Sequence, residues 1–515
     1  MGIKLGIDVG TTTCRAYYVD GAGKLVQAVL EQDDYALDSV MFFEDNGQIT
    51  VGNGARGVGF LEKECIAEYW KTFLGNADCL YQFRGRSFSP AALTALLLQA
   101  VIRKAEAGLA ATEEIEGVVI TCPSVFADGA RVSILRAAEQ ATLGSGKKLP
   151  LLGLLDDPVA AVLAYTQQFP ECAEKTVLLY DLGGGSFDCA LVRLGRNGNG
   201  WQVGILATDG ERYLGGQDWL LRLVDCAKGL LSQEMDCAQV DYEFRTHELE
   251  YAKTALSQRQ MTNLHGWVNG ERKRVQITRE MFEEATEDLL DGTIAVLDRM
   301  LAYMEERGLE HEIDEIVLLG GASKMPQIQE CLERMFGKPV NRLEPDSVAK
   351  GAALAADGAQ WNMESGFIRL RDGSVEITAP CPGSYGLLAL RDGQEWIANL
   401  VMRGMERPAQ ATRMFGTAVD HMACIHLSVF QNESWEEMVP VEEGNEPHMT
   451  CRVMLPPNLP RAACIDITFR VNRNGILEIA ACDSVSGAVF PVALERHSDA
   501  VDPVGMHEVK FARLE

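Results

Sequence analysis

One glycine-rich pattern occurs twice in this chain, and it limits the possible folds more than any other feature of the sequence. The first copy, KLGIDVGTTTCRAY, runs from Lys4 to Tyr17, and the second, TVLLYDLGGGSFDCALV, runs from Thr176 to Val192. In each copy an apolar strand ends at an aspartate, a glycine-rich turn with a hydroxyl residue follows, and another apolar stretch begins. The matching residues are Asp8, Gly10 and Thr13 in the first copy and Asp181, Gly183 and Ser186 in the second. The repetition predicts a duplicated nucleotide-binding hairpin.

The residue types in this pattern suit a phosphate chain and a divalent cation. Glycine allows positive φ and lets backbone N–H groups approach phosphate oxygens, while hydroxyl groups add further donors. An aspartate at the end of a strand can hold Mg²⁺, usually through water, because that ion prefers oxygen ligands and keeps part of its hydration shell. An ordinary hairpin with a glycine turn is the alternative for either copy alone. Two matched copies favour a pair of hairpins that grip a polyphosphate and its metal from both sides.

The bulk properties predict a soluble protein with more than one domain. A chain of 515 residues exceeds one usual core, so two or three domains are expected. Apolar residues make up 47% and charged residues 23%, as in ordinary globular proteins. The net charge of −27 argues against nucleic acid or an anionic membrane as a main partner, because both carry the same sign of charge.

Cysteine usage and the lack of a recognisable targeting segment predict that the protein is cytoplasmic. The 14 cysteines form no C-x-x-C pair, so neither a zinc ribbon nor a redox motif is indicated. No signal peptide precedes the first strand, and no run of about 18 uncharged apolar residues follows. We therefore expect a cytoplasmic protein with reduced cysteines and no membrane span.

The hydrophobic periodicity changes once along the chain. Up to about Ala356, strand-like runs alternate with amphipathic helices, which indicates α/β layers. Beyond Ser374 the apolar residues alternate with a period of two, which indicates an antiparallel β-sandwich. The predicted parts are a nucleotide-binding domain at 1–357, a linker at 358–374, a β-sandwich domain at 375–496 and a short tail at 497–515.

Several element boundaries follow from local signals. Ser89-Pro90 and Asp157-Pro158 each predict the start of a helix, and Gly337 predicts the end of another. The dipeptide Asn474-Gly475 predicts a tight turn between two strands.

These segments together resemble the 70-kilodalton heat-shock chaperone family of the DnaK type. The resemblance is carried by both hairpins, by LGGASKMPQIQECLERMFGKPVNRLEPDSVAKGAALAA at 319–356, and by the connecting segments ITCPSVFADGAR and DDPVAAVLAY. PCPGSYGLLAL and FRVNRNGILEIAA are similar to the family's peptide-binding sandwich. The resemblance implies an actin-like (ribonuclease H-like) ATPase domain of two lobes, followed by an antiparallel β-sandwich.

The resemblance also implies roles for residues in the cleft between the lobes. Lys71 would contact the transferring phosphate and position the attacking water, and Asp157 would align water or metal. Phosphoryl transfer is accelerated mainly by placing positive charge and orienting the nucleophile. The residues implied in catalysis are Asp8, Thr13, Lys71, Asp157, Asp181 and Ser186, of which Asp8 and Asp181 hold Mg²⁺ through water. Those implied around the phosphates of ATP or ADP are Gly10, Thr11, Thr12, Thr13, Gly183, Gly184, Gly185, Ser186, Gly215 and Gly216.

A second set of residues is implied at the nucleoside. Glu250, Lys253 and Ser257 share one helix face, which by spacing alone favours a solvated charge pair. Matching positions in the family contact ribose and base. The resemblance implies that five further residues complete this nucleoside pocket, namely Gly320, Gly321, Ser323, Lys324 and Asp346. Lys324 replaces an arginine that stacks on adenine, and an ammonium stacks less well than a guanidinium, so weaker nucleotide affinity is expected.

In the β domain, Leu387, Leu390 and Ile425 fall near positions that line the family's peptide groove. On sequence alone, apolar residues at such positions are more often core. Binding of unfolded or extended peptide would use backbone hydrogen bonds and a pocket for one or two apolar side chains.

The sequence also departs from the family pattern. Asp157 replaces a glutamate, and the linker lacks the usual run of leucines and valines, with Phe367-Ile-Arg-Leu as the nearest substitute. Gly153 replaces an arginine that engages J-domain co-chaperones. The chain ends at Glu515, before the family's helical lid, so faster peptide release is expected.

Three classes of function remain open from the sequence. The first is an ATP-hydrolysing chaperone with peptide clients, a J-domain co-chaperone and a nucleotide exchange factor as partners. The second is a nucleotide-dependent regulatory module with one dedicated partner. The third, a small-molecule kinase of the actin-like superfamily, is disfavoured by the β-sandwich, as is a filament.

Overall fold

A computed structural model describes residues 2–31, 35–58, 62–110, 112–168, 174–198, 200–233, 242–309, 311–358, 367–370, 373–391, 394–441, 446–496 and 510–511. Strands and helices are numbered here in chain order over those residues. Within them, no helix is long and apolar enough to cross a membrane.

The first α/β unit, residues 2–168, is built on a six-stranded sheet of order β11-β10-β1-β2-β3, with β4 paired to β2. Its strands are β1 Gly2–Val9, β2 Thr13–Val19, β3 Leu25–Gln27, β4 Leu37–Asp38, β5 Val40–Phe43, β6 Gln48–Val51, β7 Ile66–Glu68, β8 Tyr81–Phe83, β9 Arg86–Phe88, β10 Glu114–Cys122 and β11 Leu151–Asp156. Its helices are α1 Asn53–Val58, α2 Pro90–Ala107, α3 Asp128–Gln140 and α4 Asp157–Gln168.

The second α/β unit, residues 174–358, is built on a sheet of order β19-β18-β12-β13-β14 that β21 and β20 extend. Its strands are β12 Lys175–Leu182, β13 Phe187–Asn197, β14 Gly200–Glu211, β15 Tyr242–Glu243, β16 Met261–Val268, β17 Glu271–Thr278, β18 Glu315–Leu319 and β19 Val340–Arg342. Its helices are α5 Gly216–Gln233, α6 Thr246–Gln258, α7 Arg279–Ala285, α8 Glu287–Glu306, α9 Pro326–Phe336 and α10 Ser347–Asp357.

The duplication predicted from the two hairpins extends to five strands in each sheet. In the first unit, β1 pairs antiparallel with β2 and parallel with β10, and β10 pairs parallel with β11. In the second unit, β12 pairs antiparallel with β13 and parallel with β18, and β18 pairs parallel with β19. Strands β3 and β14 occupy equivalent places beside β2 and β13. Each glycine-rich turn therefore lies at the same edge of its own sheet.

Helix α10 of the second unit packs against β1 and α4 of the first unit because glycines allow close backbone contact. A Cβ atom on Gly6 of β1 would lie 2.0 Å from the nitrogen of Ala353. A Cβ atom on Gly351 of α10 would lie 1.7 Å from the oxygen of Ala160 in α4. Substitution at either glycine would push α10 away from its neighbours, which explains the small residues of this helix.

The segment between the α/β units and the β region is partly ordered as a hairpin. Strands β20 Phe367–Leu370 and β21 Gly373–Thr378 pair antiparallel, and β21 pairs parallel with β14. The predicted linker at 358–374 and the first residues of the predicted sandwich thus contribute strands to the second sheet. Residues 359–366 and 371–372 of the linker lie outside the described residues. The limits of the four predicted parts remain predictions.

The third unit is made of two sheets around one core. One sheet has the order β26-β23-β22-β25-β27-β31 and the other the order β24-β28-β29-β30. The strands are β22 Ser384–Arg391, β23 Gln394–Val401, β24 Ala409–Gly416, β25 Cys424–Asn432, β26 Met438–Pro440, β27 Met449–Met454, β28 Cys464–Val471, β29 Leu477–Asp483, β30 Val489–Phe490 and β31 Val492–Arg496. Alternate residues of β28, such as Ile465 and Phe469, are fully buried between the sheets. Of the predicted tail, β32 Lys510–Phe511 pairs parallel with β6 of the first unit.

Several local predictions are confirmed. The Ser89 side chain accepts a hydrogen bond from the Ala92 N–H at 3.1 Å and caps α2. Gly337 ends α9 in the left-handed conformation at φ 62°, and Gly475 adopts φ 75° in the turn before β29. Helix α4 begins at Asp157, as its Asp-Pro dipeptide predicts.

Candidate functional site

The two glycine-rich turns are closed by the same backbone hydrogen bond. The Gly10 N–H donates to the Thr13 oxygen at 3.1 Å, and the Gly183 N–H donates to the Ser186 oxygen at 3.0 Å. These are the equivalent residues of the two copies. The repeat in sequence is therefore also a repeat in backbone conformation.

The two turns face each other at a distance that only glycine permits. A Cβ atom on Gly184 would lie 2.4 Å from the Thr12 methyl group, and one on Gly185 would lie 2.7 Å from the Thr11 methyl group. A third turn supports the second one, because the Gly216 N–H donates to the Gly183 oxygen at 2.9 Å. In that third turn, a Cβ atom on Gly215 would lie 2.5 Å from the carbonyl carbon of Gly185. The predicted phosphate residues thus form one contiguous surface.

Buried carboxylates gather beneath this surface, where burial and each other's charges raise their pKa values. Burial, followed by the charge of Asp157, raises the pKa of Asp8 to about 7. Burial raises the pKa of Asp181 well above its ordinary value, and the charges of Asp157, Asp188 and Asp8 raise it further, in that order. Burial also raises the pKa of Asp157. Mutual repulsion of this kind is typical of a site that a cation neutralises.

The carboxylates fit a hydrated divalent cation better than a directly ligated one. The Oδ1 atom of Asp157 is buried without a hydrogen-bond partner, so it is available to a water or a metal-bound water. Within the described residues, no three histidine, cysteine or acidic side chains are close enough to bind a metal ion together. Mg²⁺ that keeps most of its water shell is compatible with both observations.

Lys71 lies in a 3₁₀ turn, Trp70–Phe73, and is only 6% exposed. It contributes positive charge to the same cluster, because its charge lowers the pKa values of Asp8, Asp157 and Asp181 against the effects that raise them. The residue before the turn, Tyr69, adopts the left-handed conformation at φ 60°, which is uncommon outside glycine.

Asp188 also belongs to the cluster, although it is not among the site residues that the sequence predicts. It lies directly opposite Asp181 in the β12–β13 pairing, and burial, followed by the charge of Asp157, raises its pKa to about 7. Its carboxylate accepts hydrogen bonds from the Ser124 hydroxyl at 2.9 Å and the Val125 N–H at 3.2 Å. The sequence signal that could have identified Asp188 is a second aspartate seven residues after Asp181 in the motif. In the first copy, Arg15 lies opposite Asp8 instead, so the duplication does not extend to this pair.

A cleft of about 580 Å³ adjoins the phosphate surface. The predicted residues in its lining are Thr12, Thr13, Gly183, Gly184, Gly216, Glu250, Lys253, Ser257, Gly321 and Lys324. The lining also includes residues that the sequence did not indicate, namely Asp38, Asn53, Arg56, His247, Thr254, Gln258, Ala322, Met325 and Arg342. The cleft is therefore bounded by both α/β units.

The pair Glu250 and Lys253 is formed as the helical spacing predicts. Lys253 Nζ lies 2.8 Å from Glu250 Oε2 and donates to the Gly216 oxygen at 2.9 Å. The pair thus connects helix α6 to the turn that supports the second phosphate loop. The pair lines the cleft and does not project from the protein surface. The alternative that helical spacing alone favours, a solvated surface pair, is therefore not required to explain it.

Three predicted nucleoside residues have other contacts. Gly320 adopts φ 78°, and a Cβ atom there would lie 2.2 Å from the Leu182 oxygen. The buried Ser323 hydroxyl donates to the Gly320 oxygen at 2.8 Å. Asp346 accepts a hydrogen bond from the Tyr17 hydroxyl and forms an ion pair with Lys350 at 2.8 Å. These residues shape the loop around the cleft, and their contact with a nucleoside remains a prediction.

Two of the predicted peptide-groove residues lie in the core of the third unit. Leu387 is 6% exposed and Ile425 is 8% exposed, and both belong to the apolar cluster between the two sheets. The side chain of Leu390 lies outside the described residues. A groove role for these three residues remains a prediction.

Three aspartates of the α/β units bind arginines of the third unit. Asp209 accepts a hydrogen bond from Arg403 at 2.7 Å, and Asp128 accepts one from Arg496 at 2.9 Å. The third pair joins Asp156 and Arg407. All three carboxylates are nearly inaccessible to solvent.

Further cations surround these aspartates and stabilise their charged forms. Arg131 also binds Asp156 at 2.7 Å, and Arg299 also binds Asp209 at 2.6 Å. Burial alone would raise the pKa of Asp156, but the charges of Arg131 and Arg407 outweigh it and leave that pKa below its ordinary value. The pKa of Asp209 is likewise lowered, because Arg299 and Arg403 outweigh burial. The third unit is therefore held by buried charges against the α/β units.

The paired phosphate loops, the carboxylate cluster and the adjoining cleft define a nucleotide-binding protein with an attached β unit. A comparison with protein-family models agrees with this class. The family model described as Hsp70 protein matches residues 72–503. The chain belongs to the Hsp70 family. Members of this family are ATPases that bind ATP or ADP with Mg²⁺, and membership supports an ATP-binding chaperone function in general terms.

Proposed function

We propose that this protein is an actin-like, two-lobed ATPase that hydrolyses ATP slowly and couples its nucleotide state to the binding of extended peptide by the β unit. The observation that carries the proposal is the meeting of two equivalent phosphate loops over a buried carboxylate cluster that contains Lys71. Kinases of the same superfamily share such loops, but the Hsp70 match extends through the β unit to residue 503.

Each part of the site has a chemical role in this proposal. Backbone N–H groups and the hydroxyls of Thr12, Thr13 and Ser186 would bind the phosphates. Bound Mg²⁺ supplies positive charge that offsets the charge of the phosphates during transfer. Lys71 would add a second positive charge and orient the attacking water, and the unpartnered oxygen of Asp157 would accept a hydrogen bond from that water.

A Lys71→Ala variant tests the assignment. We expect hydrolysis to fall by about a hundredfold or more while ATP binding is kept, since electrostatic stabilisation of this kind is worth that much. Lys338→Ala is a matched control, because Lys338 pairs with Glu312 on the surface, away from the site. ATP turnover and equilibrium ATP binding should both be measured. Normal turnover by Lys71→Ala would show that the role belongs to another residue.

A second candidate is a regulatory module with one dedicated partner and little general chaperone activity. The burial of Leu387 and Ile425 favours it, because side chains inside the core are not available to a peptide without rearrangement. A binding survey with unrelated apolar extended peptides separates the two candidates. Broad micromolar binding supports the general chaperone, and binding by none of them supports the dedicated partner.

Partners follow from the family in general terms, as substrate peptides and co-chaperones. For this chain we propose a J-domain co-chaperone and a nucleotide exchange factor, in the cytoplasm. ATPase rates with and without a J-domain protein and with and without peptide test that proposal. Absence of any stimulation would favour the dedicated-partner module.

A further inference from the structure

Arg212 follows strand β14 of the second unit, and its side chain reaches the turn that carries Lys71. Its Nε atom donates to the Thr72 oxygen at 2.6 Å, and its Nη2 atom donates to the Leu74 oxygen. Trp70 and Leu74 are buried in the core of the first unit. A single guanidinium therefore joins the second unit to the C-terminal end of the Lys71 turn.

Aromatic rings reinforce this junction. The Phe126 ring of the first unit lies 5.1 Å from the Arg212 guanidinium and 5.7 Å from Lys71 Nζ. Next to Arg212, the Tyr213 ring lies 5.8 Å from the ring of Phe73, which ends the turn. Cations over aromatic faces and tilted aromatic pairs each add modest attraction. Arg212 and Tyr213 thus both contact the C-terminal end of the Lys71 turn.

The backbone of the turn requires such support. Tyr69 enters it in the left-handed conformation, which costs free energy for a residue other than glycine. Thr72 also lies against the second phosphate loop, since a Cβ atom on Gly185 would be 2.7 Å from the Thr72 methyl group. A planar guanidinium fixes the direction of two carbonyl groups at once, whereas an ammonium group does not.

We propose that Arg212 is a positioning residue that holds the Lys71 turn in its working conformation when the two α/β units are closed. Separation of the units breaks both hydrogen bonds and releases the turn, so Lys71 is correctly placed only over a closed cleft. The proposal rests on the ATPase activity proposed above.

Kinetics distinguish positioning from simple stability. In Arg212→Ala we expect kcat for ATP to fall about tenfold or more, the worth of one hydrogen bond to a charged group, with KM nearly unchanged. Arg212→Lys should recover only part of the loss, because one ammonium cannot hold both carbonyls. Free guanidinium, at concentrations that leave the protein folded, should partly restore Arg212→Ala. Arg222→Ala is the control, since Arg222 pairs with Asp288 on the surface of the same unit.

Amide hydrogen exchange provides a readout that does not depend on hydrolysis. We expect the amides of residues 69–75 to exchange faster in Arg212→Ala, while the sheet amides of both units keep their wild-type rates. An inactive wild-type protein would overturn the ATPase proposal, and the exchange result would still decide the role of Arg212. Unchanged exchange at 69–75 overturns the positioning role. A loss of kcat accompanied by faster exchange throughout both units also overturns the positioning role, because it would show a general loss of stability.

Discussion

Arg407, in the loop before β24, forms an ion pair with Asp156, the residue that immediately precedes Asp157 in the carboxylate cluster. Both side chains are buried, and Arg131 binds the other carboxylate oxygen. The contact between the β unit and the nucleotide units is thus one residue from the predicted catalytic machinery. This pair is a contact between the β unit and the α/β units that does not involve the linker.

Loss of Arg407 is expected to weaken the contact between the units. Arg407→Ala removes one of two cations from a buried carboxylate, and breaking a buried pair costs roughly 3 kcal/mol. The emission of Trp435 reports the contact, because its ring stacks on Tyr303 at 4.2 Å and faces Arg403. We expect a red shift in Arg407→Ala that is absent when Trp435 is replaced by Phe. Arg452→Ala is the control, as its pair with Glu495 lies on the surface. An unchanged Trp435 spectrum would show that Arg407 does not hold the units together.

The effect of pH on Mg²⁺-nucleotide binding follows from the raised pKa values. In the metal-free protein the carboxyls of Asp8 and Asp188, with pKa values of about 7, favour the folded state when protonated. Their contribution to stability is full below their ordinary pKa and is lost as the pH rises through about 7. Mg²⁺ requires the deprotonated forms. We therefore expect the rise in Tm caused by Mg-ADP to grow between about pH 5 and about pH 8.

An Asp8→Asn variant is the control for that titration. It removes the negative charge at all pH values, so the Mg²⁺-dependent rise in Tm should be smaller and should vary less with pH. A rise in Tm that stays constant across the range in the wild-type protein would contradict the proposed role of the cluster.

The close approach of the two phosphate loops predicts a suppressor pair. Gly184→Ala places a methyl group against the Thr12 methyl group, and overpacking of this kind costs about 1–3 kcal/mol. We expect ATP affinity to fall by about tenfold. Thr12→Ser removes the clashing methyl and keeps the hydroxyl, so the double variant should bind ATP more tightly than Gly184→Ala. Isothermal titration of the three variants measures this, and additive losses would indicate that the loops do not meet.

Lys324 lines the cleft that is predicted to hold the nucleotide. The planar guanidinium of an arginine would stack better on a base than its ammonium group does. Lys324→Arg is expected to increase affinity for adenine nucleotides about two- to fivefold, the typical worth of a cation–π contact. Fluorescent ADP binding measures the change, with Lys338→Arg as the control. Equal affinity in both variants would place the base elsewhere in the cleft.

Residue patterns by themselves determined the repeated loops, the α/β alternation and the period-two strands. A phosphate loop depends on glycines, an aspartate and a hydroxyl residue that are close in sequence. A helix cap such as Ser89 likewise acts within one helical turn. The resemblance to the Hsp70 family was carried by such local segments, and the family model matches residues 72–503.

Only the tertiary structure decided which distant residues meet. Arg212 reaches the Lys71 turn across about 140 positions of chain, and Arg407 reaches Asp156 across about 250. Neither arginine lies in a pattern with a required spacing, because an ion pair or a hydrogen bond depends on distance in space and not on distance along the chain. Arg56 and Arg342 join the cleft for the same reason. The sequence therefore specified the phosphate loops, and the packing of three units specified what surrounds and connects them.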